Sequence, residues 1–302
     1  MSNLHISISE LDERNLSTEE FFRVIYVMLV HEMEYLMEIH PSVAINNLVD
    51  YPLQLAKRIV DSAHTLYFVI EEQKDYVIAF AIVRSIADML ASFILIYGGN
   101  DAEEKALRHY LYIIDGLQGR LSLLPESIKN DGRIKDEELD GLKNQVFNAR
   151  RDYSQAVDIC KREIRELHLY SSYSNFIEVL IERRNWKFKK MDCPKSSYNW
   201  NEMYDIIKLK IDGKFISSLS DFVHGLSTSL LMVELDASTF GPVYGIVISL
   251  LGRLREQLNQ LYVKDMLSVR EKMLSALMDK AMPTQYVKYI LEQVDAESKN
   301  QK

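Results

Sequence analysis

Between Tyr76 and Tyr97 the chain carries an apolar run broken by only two charged residues, Arg84 and Asp88. The run is long enough to cross a bilayer, which needs about 20 apolar residues. A charged side chain at the bilayer centre costs about 2.5–3.5 kcal/mol even on the mildest scales, so two near the middle argue for a buried core helix instead. Their spacing of four puts guanidinium and carboxylate on one side of that helix, and Ser92 extends the row by another turn. Buried polar groups require partners. The best complement in the chain is a second row, Ser217, Ser220, His224 and Ser227, on an otherwise apolar stretch from Lys214 to Leu235. Two such rows are satisfied most cheaply by meeting, which predicts that the two helices pack and enclose a polar pocket.

Composition favours helices everywhere. The chain of 302 residues is 47% hydrophobic, ample for a real core, yet has only 11 glycines and 6 prolines. That is too few breakers for many turn-linked strands. The expected fold class is all-α, a multi-helix bundle with a long charged helix or helical hairpin. A net charge of −8 excludes nucleic-acid binding spread over the whole surface but leaves room for a local basic site. Cys160 and Cys193 form neither a close pair nor a metal pattern, and Met1–Asn15 is polar and acidic without a basic leader. A reducing, cytoplasmic setting is expected.

Helix signals divide the chain. Ser17-Thr-Glu-Glu20 reads as a capping box opening a helix that ends before Pro41, and Pro52 starts a second running towards Glu71. The Tyr76–Tyr97 helix stops at Gly98-Gly99-Asn100, and Asp101 caps a fourth towards Leu124. A charge-rich helix over Glu137–Tyr170 repeats apolar residues every three or four positions: Leu142, Val146, Ala149, Tyr153, Val157, Cys160 and Ile164. Further helices are expected over Asn201–Lys210, Lys214–Leu235 and Val243–Val263, with a last pair reaching Val294. No repeat of fixed period appears. The reading is one helical domain over 1–302, with a protruding hairpin at 136–200 and a polar tail at 295–302.

Two meanings stand side by side for Arg84 and Asp88. They form either a self-satisfied structural ion pair or an anion-facing arginine oriented by its carboxylate. For His224, Ser220 can hold one ring nitrogen and leave the other to act as a general base. Asp221 is a weaker orienting partner. An apolar helix with Arg-x-x-x-acid, a long charged helical hairpin, and Ser220-x-x-x-His224-Gly225 resembles an uncharacterised bacterial all-helical family of unknown function, over about Tyr76 to Leu235. More distantly, the chain resembles the HEPN superfamily, helical proteins found among phage-defence and toxin ribonucleases, whose active members carry Arg followed four to six residues later by His. The expected function is a ligand- or RNA-binding helical protein of bacterial defence or toxin type; if it is catalytic, it is a metal-independent ribonuclease in which Arg84 stabilises the charged phosphate and His224 deprotonates a 2′-hydroxyl, with Asp88, Ser220 and Ser217 shaping the pocket. Arg84 and His224, far apart in sequence, depart from the HEPN spacing, whereas Arg58 with His64 and Arg162 with His168 fit it, at the frequency composition alone produces. His31-Glu32-Met33-Glu34-Tyr35 opens like a zinc-protease helix, but Tyr35 fills the second ligand position. No phosphate loop or dinucleotide fingerprint is present, and no cofactor is expected.

The segment Arg183–Lys195 sets six cations, Arg183, Arg184, Lys187, Lys189, Lys190 and Lys195, against one acid, Asp192. Trp186 and Phe188 interleave with them. Such a pattern either grips a phosphate backbone and stacks bases, or packs its aromatics on the body while its lysines stay in water. The partners these features admit are RNA or another anionic ligand, a protein, or a second copy of the chain, and no membrane. A non-catalytic helical subunit of a larger assembly is the competing class.

Overall fold

A computed structural model describes residues 17–129, 132, 135–191, 193–208, 213–224 and 240–279. The described residues are all-helical, as the scarcity of breakers requires, and form a multi-helix bundle without a sheet; one isolated antiparallel bridge joins Phe188 and Ser197. The helices are α1 (Thr18–Ile39), α2 (Pro52–Phe68), α3 (Tyr76–Tyr97), α4 (Ala102–Leu123), α5 (Asp136–Glu166), α6 (His168–Arg183), α7 (Trp200–Ile207), α8 (Gly213–Ser218), α9 (Ser220–Val223), α10 (Phe240–Leu261) and α11 (Val263–Asp279). A five-residue π-helical turn, Val69–Gln73, follows α2 and ends at Lys74 in the left-handed region, φ 53°.

The local signals act as read. Ser17 accepts from the Glu20 amide while the Glu20 carboxylate accepts from the Ser17 amide, satisfying two of the orphan donors at the start of α1. Asp101 accepts from the amides of Glu103 and Glu104 to start α4. The charge-rich stretch differs in one respect. It is two helices, because Leu167 takes an extended conformation between α5 and α6.

Two compact units result. One comprises Met1–Val43, Pro52–Ile94 and Trp200–Lys302, and the other Ala44–Tyr51 and Leu95–Asn199. In the first, α1 packs against α2, α10 and α11. Its buried carboxylate, Glu32, is held by the Arg255 guanidinium through three bonds of 2.7–2.9 Å, so burial of the charge is compensated by geometry. In this unit α3 is the one described helix long and apolar enough to cross a membrane; Val83, Ile86, Ala87, Leu90 and Ala91 along it are fully buried.

In the second unit α5 and α6 pack on each other and both lie against α4, so the 136–183 helices share a core with it. The α5 seam is buried at Leu139, Val157, Cys160 and Ile164 and opens between them, where Leu142 is 40% exposed. Fully buried His109 is held at both nitrogens. A carbonyl can only accept, so Nε2–H donates to the Ile45 oxygen at 2.7 Å, and Nδ1 accepts from the Tyr97 hydroxyl at 2.7 Å. Burial pushes its pKa down to about 4, which keeps the ring neutral.

The expected helix over Lys214–Leu235 is interrupted. α8 and α9 are separated at Leu219, where the Leu219 amide bonds the Ile216 carbonyl and the Phe222 amide bonds Leu219, both three residues back. These tight turns advance the chain differently from an α-helix and break the straight row of Ser217, Ser220 and His224. Ser227 and the rest of that stretch, the opening Met1–Asn15, the helix expected towards Val294 and the polar tail lie outside the described residues.

Candidate functional site

Arg84 is 10% exposed and lies among three partners within the first unit. Its Nε faces Asp88 Oδ1 at 3.0 Å, one turn on along α3. Its Nη1 donates to the backbone carbonyl of Ile216 at 2.8 Å, and its guanidinium carbon sits 4.7 Å from the centre of the Tyr204 ring. The Tyr204 hydroxyl closes the cycle by donating to Asp88 Oδ1 at 2.5 Å. Burial and the Asp88 carboxylate both push the Tyr204 phenol far up, so it stays protonated and acts as a donor. Trp200 stacks on Tyr204 with centroids 6.1 Å apart. Ser92 does not extend the side-chain ladder: its hydroxyl donates to the backbone carbonyl of Asp88 at 2.8 Å. One arginine thus ties α3 to α7 and to the end of α8 through charge, ring face and a carbonyl.

The segment carrying the serines and His224 does meet α3. Phe222 packs on Phe80 at 4.9 Å and on Tyr76 at 5.8 Å, while Ile216 meets Arg84, so the segment runs antiparallel to α3. His224 follows Phe222 by two residues, its amide bonding the Ser220 carbonyl at 3.1 Å. Tyr76 and Phe80 precede Arg84 by one to two turns, about 6–12 Å along the axis. Ser217 and Ser220 are half-buried and His224 is exposed. Among the described residues no bond joins Arg84 to His224, and no three His, Cys, Asp or Glu side chains group to hold a metal ion.

The basic segment belongs to the second unit. α6 closes at Arg184, which adopts φ 54° so that its amide bonds the Ile181 carbonyl and the Asn185 amide bonds Leu180. That paired closure fills a position glycine usually takes. The chain then turns back on itself as a short hairpin: the Tyr198 amide donates to Lys187 at 2.8 Å, and Asn185 Nδ2 donates to the Pro194 carbonyl at 2.9 Å. Trp186 and Phe188 are buried, 6% and 1% exposed, while Lys187 and Lys189 are half-buried, their ammonium groups 5.7 Å from the Trp186 ring centre and 5.5 Å from the Tyr198 ring centre. Arg108, itself 4% exposed, anchors both aromatics: its Nη1 donates to the Trp186 carbonyl at 3.1 Å and its guanidinium lies 4.0 Å from the Phe188 ring centre. Arg183, Arg184 and Lys190 are exposed, and Arg184 lies 3.9 Å from Asp115. The two aromatics are core residues, unavailable for stacking bases, and the cations form the outer face.

A feature that the sequence did not single out is a groove of about 540 Å³ between the middle of α5 and the segment Pro125–Ile128. Its floor includes Lys143, Phe147 and Arg151, which stand four apart, a spacing visible in the sequence but masked by the apolar seam beside it. Comparison of the chain with models of protein families, with curated proteins and with solved structures gives no match.

Proposed function

We propose that this is a non-catalytic helical protein that binds RNA through the phosphate backbone, using the basic hairpin that follows α6. The observation that carries this is the cluster of cations around a buried support: Trp186 and Phe188 are anchored under Arg108, Arg183, Arg184, Lys190 and Lys195 are exposed around them, and Lys187 and Lys189 lie half-buried over aromatic rings. Concentrated positive charge on a chain of net −8 suits a polyanion that is gripped locally while the remaining surface repels it. Without free aromatics the hairpin discriminates little between sequences. Arg84, already shared among Asp88, Tyr204 and Ile216, favours a structural role over phosphate stabilisation.

Charge reversal tests the proposal. Lys187→Glu, Lys189→Glu and Lys190→Glu together should weaken binding of a fluorescent 12-nucleotide RNA by more than about tenfold at moderate salt. The slope of log affinity against log salt should fall by roughly 2, since each single-strand phosphate contact contributes about 0.7. Affinity and slope unchanged in the triple variant would remove the hairpin from RNA binding and leave it a packing element.

A further inference from the structure

We infer that the groove along the middle of α5 is a stacking subsite for an unpaired base of single-stranded RNA, with Phe147 as the platform. The inference deepens the RNA-binding reading and rests on it. The groove is lined on one side by Lys143, Val146, Phe147, Arg150 and Arg151, residues at helical spacings of three and four that form one continuous face of α5, and on the other by Pro125–Ile128. Phe147 is 66% exposed, in contrast to the buried Trp186 and Phe188. An aromatic ring left open to water in a groove of this size has its face available to a planar partner.

Charge decides what kind of partner. Lys143 and Arg151 stand one turn before and one turn after Phe147, so the ring is bracketed by cations at about 5–6 Å along the axis on each side. Their present partners are exposed neighbours, Asp140 at 3.0 Å and Asp152 at 3.1 Å, in pairs that yield readily to a phosphate. Arg150 is fixed by donating to the Leu124 carbonyl at 2.7 Å, which stiffens the wall of the groove. Glu126 is the acid on the opposing wall and disfavours a phosphate there, placing the anionic backbone on the α5 side. Cation, ring, cation is the order in which phosphate, base and phosphate follow one another along a single strand. A base in a duplex presents no free face to Phe147, so the groove selects unpaired nucleotides. An acidic peptide satisfies the cations but has no planar group recurring between its charges.

The experiment compares two fluorescent 12-mers by anisotropy, oligo(U) and an abasic ribose-phosphate chain of equal charge. The wild-type chain should bind oligo(U) about tenfold more tightly, the contribution of a stacked base. Phe147→Ala should equalise the two without altering the circular-dichroism spectrum, since the ring is mostly exposed, and Phe147→Trp should restore the preference. Arg151→Glu should weaken both ligands. Equal binding of the two ligands by the wild type, or a preference that survives Phe147→Ala, overturns the inference. So does polyglutamate that displaces oligo(U) equally from the wild type and from Phe147→Ala. The two proposals fail separately. Base preference erased by Phe147→Ala while the hairpin variant binds normally sinks the hairpin and keeps the groove. The reverse pattern keeps the hairpin and sinks the groove, and no binding of either 12-mer to the wild type sinks both.

Discussion

Replacing Arg84 with Ala is expected to destabilise the chain by about 3 kcal/mol. The change removes the Asp88 ion pair, the bond to the Ile216 carbonyl and the cation over Tyr204 in one step. Breaking a buried pair from one side costs about 3–5 kcal/mol, and the low end applies because Asp88 is 32% exposed and keeps the Tyr204 hydroxyl. Urea denaturation followed by circular dichroism measures the loss. His224→Ala, at an exposed position, should stay within about 0.5 kcal/mol of the wild type. This contrast also tests the ribonuclease reading of Arg84 and His224. A wild-type chain that degrades RNA and harms bacteria on expression, paired with a folded and harmless His224→Ala variant, would make His224 a general base and displace the binding-only reading. A wild-type midpoint in Arg84→Ala would show that the guanidinium is not a structural tie.

How much of this was legible in the sequence depended on whether the signal was local. Capping at Ser17 and Asp101, the Tyr76–Tyr97 helix and the Arg84–Asp88 pair follow from spacing within a few residues, and each is present. That Arg84 meets the chain near Ser217 was also readable, because a buried guanidinium must find an acceptor. Its identity was not: the acceptor is the Ile216 backbone carbonyl, and every residue carries one. Tyr204 was invisible for a related reason, since a ring supplying both a face to Arg84 and a proton to Asp88 leaves no pattern along the chain. The break at Leu219 defeated the periodicity because α8 and α9 each keep helical residue types. In the basic segment, composition does not tell a buried aromatic from an exposed one, and Trp186 and Phe188 are buried. The polar pair His109 and Tyr97 went unread because the acceptor that fixes the ring, the Ile45 carbonyl, is 64 residues from His109 and leaves no pattern beside it.

Acidification should expose that pair. His109 is neutral in the folded chain, with a pKa near 4, against about 6.5 in an unfolded one. Between these values the unfolded state binds more protons, so stability falls as pH drops from about 6.5 to about 4 and the contribution levels off below. The steepest slope is about 1.4 kcal/mol per pH unit, and the whole window amounts to about 3 kcal/mol. The physical step is definite: a proton on Nδ1 faces the Tyr97 oxygen and forces its hydroxyl to turn, while the charge sits in a fully buried site. Carboxylates such as Glu178, held below the usual range by the hydrogen bond from Arg165, titrate at the acid end and add their own loss. The informative quantity is therefore the difference between wild type and His109→Gln, whose amide donates and accepts but does not titrate here. Urea midpoints at pH 7.5, 6.0, 5.0 and 4.5 should show the wild type losing stability faster than the variant, by about one proton's slope. Parallel pH profiles for the two chains would mean that His109 protonates as readily folded as unfolded, and that its two hydrogen bonds do not hold the neutral ring.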